Sequence, residues 1–535
     1  MTASPRSPRP GPSGQRSSRH LGDFDLAVVG SGCAGATLAR AAQLGGKRVL
    51  LVERGRHPRF ALGESSTPLA ALALERLADR RAMRDLRDLA AYGRWRARLG
   101  HLRRGLKRGF TFYHQRSGEP FAAGPANERR LLVAASPDDA IADAHWLRAD
   151  VDAHLVAQAK AAGVCYRDGV LLDGCEIGDR GALLAGADDR GRLTARAAFV
   201  VDASGPAGFL AGTLGVPAAA PAATLATGLL FAHVAAPGSF AAAAEAGGEP
   251  FEAGPYPDDR AAVHHLLAEG WMYVLPFDHD VASCGFLVEG TPEAAGIDPA
   301  SDAAGAWRTL LARYPTLEAQ LGGAPFVVGP RWAPRVQHRL AHAHGERWAM
   351  LPHTFAFTDP LFSTGLAQSF LAVDRLADVL LDGEGSLEEY GALLARESGQ
   401  VERLVALAYA ARGDMRAFAA VAFLYFAAVS FEEVRQRLLP PPGGRSWCWQ
   451  GFLGGGDAEL EGLVAEAGAR LAADPLGFPA WVEARIAPRN VVGLADPRRR
   501  NLYPVDLDVL VAAAPLLGMS AQQMRASLPR LRGGE

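Results

Sequence analysis

The sequence predicts an α/β architecture in which a parallel, nucleotide-binding sheet is gathered from three separated stretches of chain. Residues 23–54, DFDLAVVGSGCAGATLARAAQLGGKRVLLVER, read as apolar strand, glycine turn, small-residue helix, second apolar strand and acid. Residues 197–205, AAFVVDASG, form an apolar strand closing on Asp202-Ala203-Ser204-Gly205. Residues 348–366, WAMLPHTFAFTDPLFSTGL, lead from an apolar strand to a turn and helix start at Ser363-Thr364-Gly365. A helix N-terminus at the end of a parallel strand offers free N–H groups to a phosphate. The expected fold is therefore a Rossmann-like nucleotide domain, a discontinuous β-rich second domain and a helical C-terminal region.

Within the first stretch, Gly30, Gly32 and Gly35 let the backbone turn and approach a pyrophosphate, with Cys33 and Ala34 supplying backbone N–H groups. Glu53, 23 residues past Gly30, stands where a carboxylate accepts ribose hydroxyls, and Arg54 follows it.

The 535 residues suffice for two or three domains, and a net charge of -2 implies no general attraction to nucleic acid or anionic membranes. Five scattered cysteines without CxxC spacing suit a reducing, cytoplasmic setting. Basic residues are nearly all arginine; the lysines are Lys47, Lys107 and Lys160. Residues 1–22 are Pro/Ser/Arg-rich without an apolar core and read as a disordered tail. The longest apolar run, 417–429, is short for a bilayer span and reads as a buried helix, with a membrane-surface contact as the alternative.

Further along, Gly63-Glu64-Ser65-Ser66 precedes Thr67 and Pro68, a plausible N-cap and first helical residue, with helical periodicity to Leu89. Residues 94–104 are basic, 110–113 alternate as a strand, and 121–143 are irregular. Arg148 and Asp152 share a helix face at i,i+4 spacing. Residues 164–201 read as a β meander, 215–340 as a second domain with a low-complexity lid or insertion at 235–259. Trp271 and Tyr273 alternate along a strand that ends at Pro276. His338, His342 and His344 lack a carboxylate or cysteine at ligand spacing, so no metal is expected. Helices are expected over 386–411, 415–438, 458–472 and 504–517.

The ordered motifs GSGCAG, GES before a Pro-started helix, Lys107-x-Gly109-x-x-Phe112, GWMYVLP and FTDPLFSTG resemble the flavin-dependent halogenases of the FAD-dependent monooxygenase superfamily. That resemblance implies a nucleotide domain of the p-hydroxybenzoate-hydroxylase type holding FAD. Its contacts would include Gly30, Gly32, Cys33, Ala34, Gly35, Glu53, Arg54, Glu64, Ser65, Arg148, Asp202, Asp359 and Gly365. It implies a halide, chloride or bromide, at Ser363, Thr364 and Gly365, a catalytic Lys107, and restricted access to the flavin by Trp271 and Pro276. A guanidinium cannot lose its proton or form an N–halogen adduct as an amine can, so a lysine kept among arginines fits that role. Reduced FAD would come from a separate flavin reductase, and the substrate would be an electron-rich aromatic of phenol, indole or pyrrole type, free or carrier-tethered. The domains would be 23–115, 143–215 and 341–385 for FAD, 116–142 and 216–340 for substrate, and 386–535 for the helical region. The chain departs from the pattern at Tyr273, which replaces a second tryptophan, at Leu275, which replaces isoleucine, and at Pro352-His353, which stand where Gly-Asp is usual. An FAD hydroxylase, a flavin-dependent reductase and a non-catalytic flavin carrier are the alternatives.

Overall fold

The computed structural model describes residues 18–531 apart from 224, 249, 299–301 and 454–457. The chain starts with β1 (Arg19–Val29), α1 (Cys33–Leu44), β2 (Val49–Val52) and α2 (Pro68–Arg80). There follow β3 (Arg104–Lys107), β4 (Gly109–His114), β5 (Arg130–Ala134), β6 (Asp143–Trp146) and α3 (Arg148–Ala161). Then come β7 (Cys165–Arg167), β8 (Leu171–Gly178), β9 (Gly181–Asp188) and β10 (Gly191–Asp202). The second domain adds β11 (Thr227–Ala235), β12 (Ala262–Leu267), β13 (Gly270–Phe277), β14 (Val281–Glu289) and β15 (Phe326–Ala333). The chain returns through β16 (Trp348–Met350) to α4 (Gly365–Ala377), α5 (Leu387–Ala411) and α6 (Met415–Leu438).

The nucleotide sheet has β1 at its centre, parallel to β10 on one side and β2 on the other, with β7 outside β2 and β16 outside β10. Leu26 to Val29 and Val49 to Val52 are buried because helices cover both faces of a parallel sheet. The three separated stretches thus become adjacent strands, and their C-terminal ends open on one crevice. β1 begins at Arg19, so residues 19–22 extend the strand rather than the expected tail; residues 1–17 lie outside the described residues.

The second sheet runs β15-β11-β14-β13-β12-β4-β5 and ends on the short strand Leu502–Tyr503. β4 belongs to it through parallel pairing with β12, while β3, just before it, pairs with β6 in a separate two-stranded ribbon. Residues 235–259 are no loose lid. They contain the helix Phe240–Ala246, and the region is fixed by buried Phe240 and by Asp258, which takes Arg130 at 2.5 Å and the Tyr113 hydroxyl at 2.6 Å.

Asp414 caps α6 by accepting from Arg416 N and Ala417 N, and Ser386 caps α5 through Glu389 N. By length and composition α6 can cross a membrane, unlike the shorter run read from sequence; here 78% of its most apolar window is buried. Phe418 and Phe426 meet Phe112 and Phe110 of β4, so α6 closes the back of the second sheet. The buried pair of Arg375 of α4 with Glu397 of α5, at 2.6 and 2.8 Å, docks this region, and Arg80 of α2, at the surface, reaches the buried Asp374 of α4 at 2.8 Å.

Candidate active site

A cavity of about 1070 Å³ runs from the glycine turn to the start of α4 and on between the two sheets. Pockets for a single small ligand span about 300–1,000 Å³, so this volume accommodates a dinucleotide with a small ring compound beyond it.

At the nucleotide end the three glycines do different work. Gly30 has φ +104, and a Cβ there would meet Ala203 O at 2.4 Å; a Cβ on Gly35 would meet Gly30 O at 2.1 Å. Both are glycine so that chain segments can touch. Gly32 is free of such contacts, its nearest neighbour being Arg148 Nη2 at 3.5 Å, and the space it leaves faces the cavity. That is the cradle a pyrophosphate needs. Cys33 and Ala34 line it from the first turn of α1, and burial pushes the Cys33 thiol up to about 11, so it is neutral and acts through its backbone.

Glu53 ends β2 at the cavity wall. Burial opposes its charge, but Gly55 N, Ser31 N, Arg59 and the Ser31 hydroxyl hold its carboxyl at about 2. It is a fixed anion at neutral pH, suited to ribose hydroxyls. Arg54 is exposed on the rim.

The Gly63-Glu64-Ser65 loop crosses the middle of the cavity. Arg148 both pairs with Asp152 at 2.8 Å and donates to Leu62 O at 2.7 Å and Gly63 O at 3.1 Å. The i,i+4 pair and the cofactor-side arginine are therefore one arrangement, with the ion pair aiming Arg148 at the loop. Glu64 lines the cavity with His233 Nε2 at 3.2 Å from its Oε1.

Lys107 lies behind this loop and is fully buried, while Lys47 is partly exposed and Lys160 exposed. Its Nζ donates to Ser65 Oγ at 2.9 Å and Ser66 O at 2.6 Å, and sits 4.1 Å from the centre of the Phe110 ring. Ser65 Oγ in turn accepts from Ser363 Oγ at 3.1 Å. Ser65 and Ser363 line the cavity; Lys107 does not, so its amine touches the cavity through one hydroxyl. Burial lowers the Lys107 pKa markedly, with Asp143, its cross-strand partner on β6, pulling the other way.

Ser363 takes a left-handed φ of +53, its N–H bonded to Pro360 O at 2.9 Å. This kink turns the chain into α4, so Thr364 and Gly365 present first-turn N–H groups to the cavity. Tyr425 of α6 fixes the turn from behind by donating to Phe362 O at 2.8 Å.

Besides Lys107, two site residues expected from sequence stand off the cavity wall. The Asp202 carboxylate is fully buried and taken up by Ser204 N and Leu210 N; Ala203, Ser204 and Gly205 line the cavity instead. Pro276 backs onto Gly105, while Trp271, Tyr273 and Leu275 face inward. Among the described residues no group of three potential ligands could hold a metal ion.

No family model matches the chain. It is 26% identical over 391 residues to the tetracycline 7-halogenase of Kitasatospora aureofaciens, covering 71% of this chain and 68% of that one. It is also 26% identical over 373 residues to monodechloroaminopyrrolnitrin halogenase PrnC of Pseudomonas fluorescens, covering 69% and 63%. The crystal structure of halogenase PltM in complex with phloroglucinol and FAD shares the fold, with a TM-score of 0.78 at 22% identity over 90% of this chain and 99% of that one. The chain is thus similar in sequence to two halogenases and shares its fold with a third that is crystallised with FAD.

Tyr409 carries no signal in the sequence that ties it to this cavity. Tyr409 of α5 donates to Asp359 Oδ2 at 2.8 Å and accepts from Trp271 Nε1 at 2.9 Å, all three groups being buried. It joins the C-terminal region to two cavity-lining side chains. Only apolar periodicity was visible around it. Burial raises the Asp359 pKa to about 7, against the donors Tyr409, Leu361 N and Trp271. The folded state thus holds a proton on Asp359 that the unfolded chain has released, and this group's contribution to stability declines as pH rises from about 4 to about 7. In Tyr409→Phe the ionised form loses a donor, the folded pKa climbs, and the decline extends above pH 7; in Asp359→Asn it disappears. Unfolding free energies measured across that range check both, the largest slope for one group being about 1.4 kcal/mol per pH unit.

Proposed function

We propose that the protein is an FAD-dependent halogenase that uses reduced FAD, O₂ and chloride or bromide to halogenate an electron-rich aromatic ring. The observation that carries this reading is the line Ser363–Ser65–Lys107, which links the turn suited to halide with a buried amine.

Gly32, Cys33, Ala34, Glu53 and Arg54 would hold the ADP half of FAD, and Arg148 with the Gly63-Glu64-Ser65 loop would hold its flavin half. The bound cofactor, reduced by a separate flavin reductase, supplies the electrons that activate O₂. Thr364 and Gly365 offer halide the N–H groups of a helix start. Trp271 and Tyr273 wall this region, and their bulk limits the approach of an organic ring to the oxidising centre. Hypohalous acid formed near the turn reaches Lys107 by way of Ser65. The buried amine, with its proton easily lost, either donates a hydrogen bond to hypohalous acid or exchanges N–H for N–halogen with release of water. Ring carbon then takes the halogen and gives up its proton, restoring the amine.

Electron-rich rings are supported as substrates by the named relatives, one a tetracycline halogenase and another crystallised with phloroglucinol. The test is to supply enzyme with reduced FAD, air and chloride or bromide, and to screen phenols, indoles and pyrroles by mass spectrometry. Halogenated product is expected whether the flavin is reduced chemically or by an unrelated reductase. Product that requires one particular reductase would replace free reduced FAD by direct transfer. Absence of halogenated product from every ring class would sink the substrate reading.

A further inference from the structure

His353 occupies the position where the halogenase pattern usually has the aspartate of Gly-Asp. It follows Pro352 at the first turn after β16 and lines the cavity. Its Nε2 is buried and has no hydrogen-bond partner among the described residues. That nitrogen lies 2.7 Å from where a Cβ on Gly365 would stand, at the start of α4. The ring packs edge-on against Phe357 at 5.5 Å, and the backbone carbonyl accepts from His338 Nε2 at 3.1 Å, so the imidazole is aimed rather than loose. Burial first, then Arg148 and His338, push His353 down to about 4, which leaves the imidazole neutral near pH 7.

We propose that His353 contacts the flavin half of bound FAD and biases the site toward the reduced cofactor. This deepens the FAD reading above and rests on it. The physical reason is charge. Reduced isoalloxazine carries more negative charge than the oxidised ring, and a carboxylate beside it opposes reduction. A neutral imidazole removes that opposition, supplies one hydrogen-bonding nitrogen that has no partner among the described residues, and adds no second carboxylate beside the Arg148–Asp152 pair on the same wall. A protein that receives its cofactor already reduced gains by holding that form tightly, since reduced flavin free in aerated solution is lost to oxidation.

The experiment compares wild type, His353→Asn and His353→Asp in two binding titrations, oxidised FAD in air and reduced FAD under nitrogen. The ratio of the two dissociation constants is the readout, and it does not depend on turnover. Wild type is expected to bind reduced FAD more tightly than oxidised. His353→Asp should shrink that preference by about tenfold or more, equivalent to a fall of about 30 mV in the two-electron potential of the bound flavin. His353→Asn, neutral and still able to hydrogen-bond, should stay near wild type. An unchanged ratio in His353→Asp, or an equal loss in both variants, would overturn the proposal. Wild type that binds neither form would instead bring down the FAD reading itself, and the proposal with it.

Discussion

Lys107→Met halts ring halogenation while leaving FAD binding and halide oxidation in place. The loss expected is about 10²–10⁴-fold, the range for removing a positioned catalytic group. The variant substitutes an apolar chain of similar length in a site that is fully buried and lies against the Phe110 ring, so the fold has little reason to change. Hypohalous acid should still be released and be caught by a halogen-accepting dye. Lys107→Arg should be as inactive as Lys107→Met, because a guanidinium keeps its proton and is too large for the space between Ser65, Ser66 and Phe110. Retained product in Lys107→Met would remove the amine from the mechanism. Loss of FAD in the same variant would instead give Lys107 a structural role behind the Ser65 loop.

The second large effect concerns the cradle. Gly32→Val should fold and yet fail to hold FAD, with affinity falling by at least about 10²-fold. Gly32 has φ -64 and ψ 174, which valine adopts readily, and no protein atom comes nearer than 3.5 Å to its Cβ position. The added methyls project toward Arg148 and Arg59, into the space left for the pyrophosphate. Far-ultraviolet circular dichroism near wild type, together with a colourless purified protein, is the expected pair of results. Gly35→Ala provides the contrast: its Cβ would lie 2.1 Å from Gly30 O, and the predicted outcome is a failure to fold. A yellow Gly32→Val protein would contradict the pyrophosphate assignment.

How much of this was legible in the sequence depends on how local the determinant is. The strand–glycine–helix unit and the bounds of α6 follow from residues within a few positions of one another, and both are legible in the sequence. The break between α2 and the short helix Leu86–Leu89 was not placed, since apolar spacing runs on across it. Tyr92–Arg98 was hidden by its arginines, with Tyr92 and Trp95 as the buried anchors. Phe478–Ile486 did carry a signal: Phe478, Val482 and Ile486 recur at i,i+4 and are all buried. Ala521–Leu531 buries Met524 alone and left almost no trace.

The site shows the same division. Gly32, Glu53, Ser65 and Ser363 could be named because each sits in a motif whose geometry is set by its own turn. Asp202 was misjudged because a carboxylate ending a strand can face the crevice or cap the next turn, and only Ser204 N and Leu210 N decide which. Tyr409 and Asp143 lie far along the chain from the groups they meet, and neither spacing nor composition brings them together. The enclosure of Lys107 behind Ser65 is likewise a product of strand pairing between β3 and β6.

The account stands most directly on the identity of the atom added to the ring. With reduced FAD, air, bromide and an electron-rich phenol in one vessel, the product mass spectrum should show the paired isotope peaks of a monobrominated ring and no product when bromide is withheld. A hydroxylated product that forms equally well without halide would contradict it.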